Sequence, residues 1–393
     1  MIVQLAGQPR EKRMKTVRNL SSLAAIAILL SATAPLRAGV YNTTDDEASI
    51  ALTPIFQNFQ KSLGDLRSIG ADQVDVDNPL RKRYFLMESL AGRAPPISLT
   101  LEQKLNYSAV LIRRRRSQDA IEFLQPLTRQ HPEIFLFDCH LALAYWTSGQ
   151  PGYDLRGYET LNEVISRKTW PVDFADLSEA QREFVLKNMH WSEDPYYPNR
   201  RFETYLLKLM KSRLKERKDR PFDKVDPLFD DGAAEPKIVA YVNDKGEFEP
   251  GKIGAAEKKL LPPDAREIVQ QLLLWMPHDR RLYWQLGEIY NAQGDPRSIK
   301  AARSIFDELV YLDKLRVPEV EKRRQILNDL KLPDEAPVSE DEMNERIAAA
   351  EKKARPTIAP GLSPRAIAVT FASGLAVGIF ALWQFQELRR RRK

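Results

Sequence analysis

A long internal repeat is the feature that most restricts how this chain can fold. Residues 119–164 align without a gap on residues 264–309, and eleven of the 46 aligned pairs are identical. In both copies the apolar residues recur at the spacing of one helix face. Pro132 and Gly149 of the first copy match Pro277 and Gly294 of the second, so helix-ending residues recur at equivalent places. The pattern predicts helical hairpins that occur twice, with other structure between them.

The first copy extends backwards to give two hairpins over residues 101–171. Thr100 and Gln103 form a capping box at the start of the first helix. Four arginines, Arg113–Arg116, end that helix, where positive charge suits the helix dipole. They are typical either of a solvated helix end or of a site for an acidic partner. The residues before it, 39–100, predict a further helical segment.

These hairpins resemble the tetratricopeptide repeat family, whose pattern sets large and small residues at fixed places on two helices and ends with a proline. The first unit carries it at Tyr107, Ser108, Leu111, Ala120, Leu124 and Pro132, and the second at Leu141, Ala142, Tyr145, Leu161 and Pro171. Residues 283–290, Tyr-Trp-Gln-Leu-Gly-Glu-Ile-Tyr, are the stretch most similar to the family. The resemblance covers about 120 of the 393 residues and implies an all-α fold, an interrupted solenoid of hairpins.

The resemblance also implies a binding surface. In that family the first helix of each hairpin lines a concave groove that holds a segment of a partner protein. At the positions that match the pattern, the groove candidates are Glu102, Arg113, Trp146, Arg281, Trp284, Glu288 and Asn291. Trp284 is equally well placed to be a core residue. Tryptophan and arginine are frequent energetic anchors of interfaces.

Two segments that the family does not have separate the two copies. Residues 172–235 predict inserted helices. The first begins with a capping box of Ser178 and Gln181, and the second has one basic face. That face is either a site for anionic lipid or an acidic partner, or a solvated surface over a packed one. Its residues are Arg200, Arg201, Lys208, Lys211, Arg213, Lys215, Arg217, Lys218 and Arg220. Residues 236–254 predict a β-hairpin, with strands at 238–242 and 247–249. Residues 255–332 then predict the second unit and a capping helix.

The two ends of the chain predict a membrane protein. Residues 1–38 have a basic start, an apolar core at 20–33 and a small residue, Ala38, after which cleavage of a signal peptide is expected. An uncleaved signal anchor is the alternative. Residues 366–385 carry no formal charge and are long enough to cross a bilayer. The basic tail, 386–393, is expected in the cytoplasm by the positive-inside rule.

This arrangement places the bulk of the chain outside the cytoplasmic membrane. Residues 333–365, rich in proline and charge, then form a tether. Gly374 and Gly378 have the G-x-x-x-G spacing through which membrane helices dimerise, although a lone, lipid-facing span fits the same residues. A bacterial periplasm is favoured because the chain has one cysteine, Cys139.

The sequence contains no motif that assigns a chemical reaction. We find no phosphate-binding loop, dinucleotide motif, nucleophile elbow or zinc motif. The four histidines lack metal-ligand spacing, and a single cysteine excludes an intramolecular disulfide. We therefore assign no catalytic, cofactor-binding or metal-binding residue. The net charge of +6 includes two basic tails, so nucleic acid is not an expected partner.

These observations lead to one expected function and two alternatives. We expect a membrane-anchored, extracytoplasmic scaffold that is not an enzyme and that binds another protein through the groove of its helical repeats. One alternative is an enzyme or enzyme-accessory subunit whose site lies between the inserted helices and the β-hairpin. The other is a structural element that forms a homodimer through the span. The partner and the biological process are not given by the sequence.

Overall fold

The chain forms helices that pack against their neighbours in the sequence. The structure is a computed structural model that describes residues 41, 56–69, 79–93, 98–166, 169–191, 193–216, 224–230, 232–233 and 237–332. All of them belong to one compact unit that ends at Asp334. The described helices are α1 (Phe56–Ser68), α2 (Pro79–Arg93), α3 (Leu101–Arg113), α4 (Ser117–Gln130), α5 (Phe135–Thr147), α6 (Tyr153–Ser166), α7 (Glu179–Glu183), α8 (Glu193–Lys215), α9 (Ala255–Lys258), α10 (Ala265–Trp275), α11 (Arg280–Gln293), α12 (Pro296–Tyr311) and α13 (Pro318–Asp329).

The internal repeat is present in the helix boundaries. Helices α4, α5 and α6 correspond to α10, α11 and α12, and α5 shifted by the offset of the alignment covers α11 almost residue for residue. Within each copy the first helix packs on the second and the second on the third. The all-α class and the packing of sequential helix pairs are therefore confirmed.

Close helix contact depends on small residues in both copies: Gly157 aligns with Ala302, and Ala142 aligns with Gly287. A Cβ atom at Gly157 of α6 would lie 2.7 Å from the carbonyl oxygen of Ala142 in α5. A Cβ at Gly287 of α11 would meet side-chain atoms of Ile305 and Phe306 at 3.1 Å. Such contacts bring the helix axes together and allow the large residues around them to interlock.

Both predicted capping boxes are confirmed. The hydroxyl of Thr100 accepts a hydrogen bond from the N–H of Gln103, whose side chain accepts one in return from the N–H of Thr100. Ser178 and Gln181 form the same arrangement at the start of α7. These local signals fix where the helices begin, because each satisfies backbone donors that the first turn leaves free.

The N-terminal helices are divided between the two copies of the repeat. Helix α2 packs on α3, whereas α1 lies against the second copy. There Phe56 meets the ring of Tyr290 at 5.2 Å, and Arg67 forms an ion pair with Glu308. Tyr41 is buried between the two copies of the repeat, and its ring centroid lies 5.8 Å from that of Trp275 in α10. The chain before the repeat therefore joins its two halves.

The predicted β-hairpin at 236–254 is wrong. The described part of this segment contains only two isolated β-bridges, Asp230 with Ile238 and Glu249 with Lys252. The N–H groups of Ala240 and Val242 donate instead to the carboxylate of Glu257, each at 3.2 Å. The alternating apolar residues suggested a strand, but Val239 and Tyr241 bury their side chains in the core. The backbone combines bonds to side chains with scattered main-chain bonds, such as that from Asn243 to Glu247, and forms no regular ladder in the described residues.

No described helix has both the length and the apolar character needed to cross a bilayer. The predicted signal peptide, the tether at 333–365, the span at 366–385 and the tail at 386–393 lie outside the described residues.

Candidate partner-binding site

The inner face of α11 is covered by the chain itself. We call residues 224–230 and 237–254 the strap. Arg281 donates to the carbonyl of Lys224 at 2.9 Å, and Gln285 donates to the carbonyl of Asp226 at 3.1 Å. Further along the helix, Asn291 accepts from the N–H of Gly251 at 3.0 Å. Side chains from successive turns of α11 thus bind the main chain of the strap.

Trp284 and Glu288 lie beneath the strap as well. The indole N–H of Trp284 donates to Glu288 at 2.6 Å, and Glu288 forms an ion pair with Arg323 of α13. Burial raises the pKa of Glu288 to about 7, although Arg323 and the indole oppose that shift. Arg323 in turn donates to the carbonyl of Ala240 and lies over the ring of Phe248, 4.8 Å from its centroid.

Four of the seven predicted groove residues, Arg281, Trp284, Glu288 and Asn291, therefore lie under the strap and are at least nine-tenths buried. The strap is itself part of the core. Phe229, Val239 and Tyr241 are each 2 % exposed. Asp226 receives two hydrogen bonds from Arg213, which also pairs with Asp279. Removing the strap would expose this apolar surface and break a buried charge network, so we regard the strap as permanent.

The matching face of α5 is covered in a different way. His140, the counterpart of Gln285, stacks on Tyr41 with the ring centroids 6.1 Å apart, and its Nδ1 lies 2.7 Å from the hydroxyl of Ser108. Burial, with a smaller effect of Arg113, lowers the pKa of His140 to about 3, so the ring is neutral. Beside it, burial raises the pKa of Glu203 to about 8, against hydrogen bonds from Tyr41 and Cys139.

An opening lies where α3 and α5 end, and we call it the junction cavity. Its volume is about 400 Å³. Arg113 and Trp146, two of the predicted groove residues, line it. The other lining residues are Ile112, Arg115, Ser117, Thr147, Trp275, Met276, Pro277, His278 and Asp279. Glu102 lies in the first turn of α3, at the opposite end from Arg113, and is not part of this lining.

The junction cavity is electropositive. Asp279, its one lining carboxylate, is engaged by Arg213 and accepts from the N–H groups of Arg281 and Leu282. Partial burial, and then the charges of Arg115 and Arg67, lower the pKa of His278 to about 4. Arg115 is exposed and forms no ion pair with any residue that the structure describes. A cavity with this charge favours an anionic group beside Trp146.

Arg115 has a backbone conformation that favours glycine. Its φ of 57° is left-handed, and it follows the end of α3. Its N–H bonds to the carbonyl of Ile112 while that of Arg116 bonds to Leu111, the two hydrogen bonds of a Schellman motif. A side chain at this position costs about 1 kcal/mol relative to glycine. Strain of this kind is a reason to look for a function of the side chain.

The basic face of α8 is largely used inside the protein. Arg200 donates to the carbonyl of Trp170, Arg201 pairs with Asp264 and Lys208 pairs with Asp230. Arg213 joins the strap to α11 through Asp226 and Asp279. Lys211 and Lys215 are exposed, while Arg217, Lys218 and Arg220 lie outside the described residues. In the described part of this face, the basic residues therefore mostly stabilise internal contacts, which favours the interpretation as a packed and solvated face over a site for anionic lipid.

The sequence did not indicate that His278 lines the junction cavity or that Arg115 has a positive φ. His278 follows a proline in a turn, without any partner that the sequence would place beside it. Arg115 was one of four adjacent arginines, and nothing in that run marks the residue with positive φ. Among the described residues no cluster of three or more potential metal ligands occurs. No family model, curated protein or solved structure matches the chain.

Proposed function

We propose that the protein is a membrane-anchored, extracytoplasmic scaffold of the tetratricopeptide type, which binds an acidic segment of another protein at the junction cavity. This is the expected function with a different site, because the chain's own segments cover the inner faces of α5 and α11. The packed helix pairs and the matching positions of the repeat support the resemblance.

The observation that carries the proposal is the placement of Arg115. An exposed arginine occupies a position where glycine is more stable, at the mouth of a cavity that already has positive potential. Evolution for stability alone would favour glycine there. A carboxylate of the partner that pairs with Arg115 would offset this strain.

The remaining lining suits the rest of such a segment. Trp146 is half-buried at the rim, and Trp275 and Met276 form an apolar wall. A tryptophan beside an arginine is the composition typical of interface anchors. An acidic residue next to an apolar one in an extended partner segment would satisfy both parts of the cavity.

The test replaces Trp146 with the photo-crosslinking residue p-benzoylphenylalanine in the full-length protein, in its native cells. We expect one discrete adduct after irradiation. The same residue at Leu312, which is 73 % exposed and does not line the cavity, is the positional control.

The decisive variant is Arg115→Gly in the Trp146 crosslinking background. We expect the adduct to disappear while the fold becomes about 1 kcal/mol more stable, because glycine removes the strain. Lys211→Glu changes the charge at an exposed position of α8 and should leave the adduct intact. An adduct that survives Arg115→Gly, or that forms equally at Leu312, contradicts the proposal.

The membrane topology is tested separately with single cysteines. Cys139 is buried, so in a Cys139→Ser background an introduced cysteine reports its own accessibility. We expect Pro337→Cys to react with an impermeant maleimide on intact spheroplasts, and Arg389→Cys to react only after permeabilisation. The reverse pattern contradicts the orientation. Loss of in-membrane crosslinking on Gly374→Ile would support a homodimer through Gly374 and Gly378.

The enzyme or enzyme-accessory alternative keeps one supporting observation. A second cavity of about 480 Å³ lies between α8 and the strap, which is where that alternative places a site. Its two lining carboxylates, Glu216 and Glu319, are both held in ion pairs with arginines. The cavity therefore supports binding more directly than it supports a reaction.

A further inference from the structure

The second cavity, which we call the inserted cavity, is separate from the junction cavity. Its walls are the last turns of α8, two stretches of the strap and one turn of α13, and Trp284 of α11 lines it. The volume of about 480 Å³ lies within the range of about 300 to 1,000 Å³ that is usual for sites of small organic ligands. Nothing in the proposed capture of a partner segment uses it.

The charges that line the inserted cavity leave an excess of positive charge. Glu216 pairs with Arg281 through two bonds of 2.6 and 2.7 Å, and Glu319 pairs with Arg323 at 2.8 Å. Lys215 and Lys224 also line the cavity. Neither lysine has a carboxylate within ion-pair distance in the part of the chain that the structure describes. The lining therefore includes two ammonium groups that the charge of a bound anion would neutralise.

The remaining surface of the inserted cavity is apolar. Val225 and Pro227 come from the first stretch of the strap, and Ile238 and Val239 from the second. Ile238 is 47 % exposed, and Trp284 is 2 % exposed at the inner wall. A large branched side chain left this exposed beside a buried indole is a surface that an apolar ligand would cover.

The inner wall is held rigidly before any ligand arrives. Arg323, which is 7 % exposed, is held by Glu288 and Glu319, donates to the carbonyl of Ala240 and lies over Phe248. Trp284 is held by its bond to Glu288. A fixed wall reduces the entropy that binding costs.

We propose that the inserted cavity binds a small amphipathic anion, with a carboxylate at Lys215 and Lys224 and an aromatic or branched apolar body against Trp284 and Ile238. This ligand is independent of the protein partner at the junction cavity. It gives the inserted segments a role beyond their packing against the repeat.

The test is calorimetric titration of the full-length protein in lipid nanodiscs with 2-naphthoate, with empty nanodiscs as the blank. We expect one site per chain. The uncharged analogue 2-naphthylmethanol should bind about tenfold more weakly or not at all, because it lacks the group that the lysines recognise. Equal binding of the two compounds, or no saturable binding of naphthoate, overturns the proposal.

Two variants locate the site. Lys215→Glu combined with Lys224→Glu should weaken naphthoate binding about tenfold or more, since two attractive charges become repulsive. Lys211→Glu combined with Lys259→Glu makes the same change in net charge at exposed positions outside the lining, and should have no effect. Ile238→Trp should block binding by filling the mouth.

Circular dichroism and the unfolding midpoint verify that each variant is folded. Binding that the Lys215 and Lys224 variant does not change overturns the assignment. Since Arg115 is not part of this cavity, Arg115→Gly should leave naphthoate binding unchanged, which keeps this result separate from that of the junction cavity.

Discussion

The side-chain amide of Gln125 in α4 donates a hydrogen bond of 2.7 Å to the hydroxyl of Tyr145 in α5. The second copy of the repeat has the same bond, from Gln270 in α10 to Tyr290 in α11, at 3.1 Å. All four residues are identical pairs in the alignment of the two copies. The repeat therefore preserves a polar contact between helices as well as an apolar pattern.

This copied bond should have a different importance in the two halves. Gln270 is fully buried, whereas Gln125 is half-buried and can bond to water. We expect Tyr290→Phe to lower the free energy of unfolding by about 1 to 3 kcal/mol and Tyr145→Phe by about 1 kcal/mol or less. Chemical denaturation measures both. Equal losses, or a larger loss for Tyr145→Phe, would contradict this account of burial.

The two glycines at the helix contacts allow a matched comparison. At Gly157 a new methyl group meets a backbone carbonyl oxygen that cannot move away, so we expect Gly157→Ala to destabilise the protein by about 1 to 3 kcal/mol. Alanine gains about 1 kcal/mol in helix propensity at both positions, but at Gly287 the neighbours are side chains that can shift. Gly287→Ala should therefore have the smaller effect in thermal unfolding. The opposite order would show that α5 and α6 can separate easily.

Glu203 should make stability depend on pH. Its pKa rises from 4.5 to about 8 in the folded protein, so the folded state holds a proton that the unfolded state releases above pH 4.5. Stability from this group is complete below pH 4.5 and is lost as the pH rises to about 8. Relative to the native protein, Glu203→Gln should become more stable as the pH increases over that range.

Urea unfolding of both proteins at intervals from pH 5 to pH 9 measures the difference, in which the contributions of His140, Asp138 and Glu288 cancel. A difference in the free energy of unfolding that stays constant across this range would show that Glu203 is ionised in the folded state.

Tyr41 should be essential for joining the two copies of the repeat. Its ring lies within 6.1 Å of those of His140 and Trp170 in the first pair of hairpins, Trp191 in the inserted segment and Trp275 in the second copy. Tyr41→Ala should cost about 3 to 5 kcal/mol, because it removes a buried aromatic ring and leaves a cavity. Tyr41→Phe keeps the ring and should cost much less. Calorimetric unfolding of the mature protein distinguishes the two, and a mild effect of alanine would mean that the halves associate without this contact.

Local sequence patterns were sufficient to predict the helical part of the fold. The apolar spacing of α4 to α6 and its copy in α10 to α12 gave the helix pairs, and the capping residues Thr100 and Ser178 gave two of the helix starts. These signals act between residues three or four apart, so a single sequence contains them. The prediction of a β-hairpin at 236–254 was wrong because it relied on the same kind of local signal. Val239 and Tyr241 alternate as in a strand, but the side chains that bond to the backbone of the strap, such as Asn291 and Arg323, lie 40 to 83 residues away.

Only part of the candidate site could be predicted from the sequence. Arg113 and Trp146 were predicted as groove residues, and the structure brings them together in the junction cavity with His278, from the second copy. Arg281, Trp284, Glu288 and Asn291 matched the same pattern, yet the strap covers them, and Arg281 and Asn291 bond directly to its main chain. The repeat pattern marks the inner face of a helix but contains no information about what covers that face.

The sequence by itself determined the all-α class, the repeat and its register, because helix formation and hairpin packing depend on residues that are close along the chain. Only the tertiary structure decided which faces stay open. Tyr41 closes one inner face and the strap closes the other, and both contacts join residues that are distant in sequence. Burial and charge at such contacts are sums over many distant groups, so the junction and inserted cavities become visible only when the chain is folded.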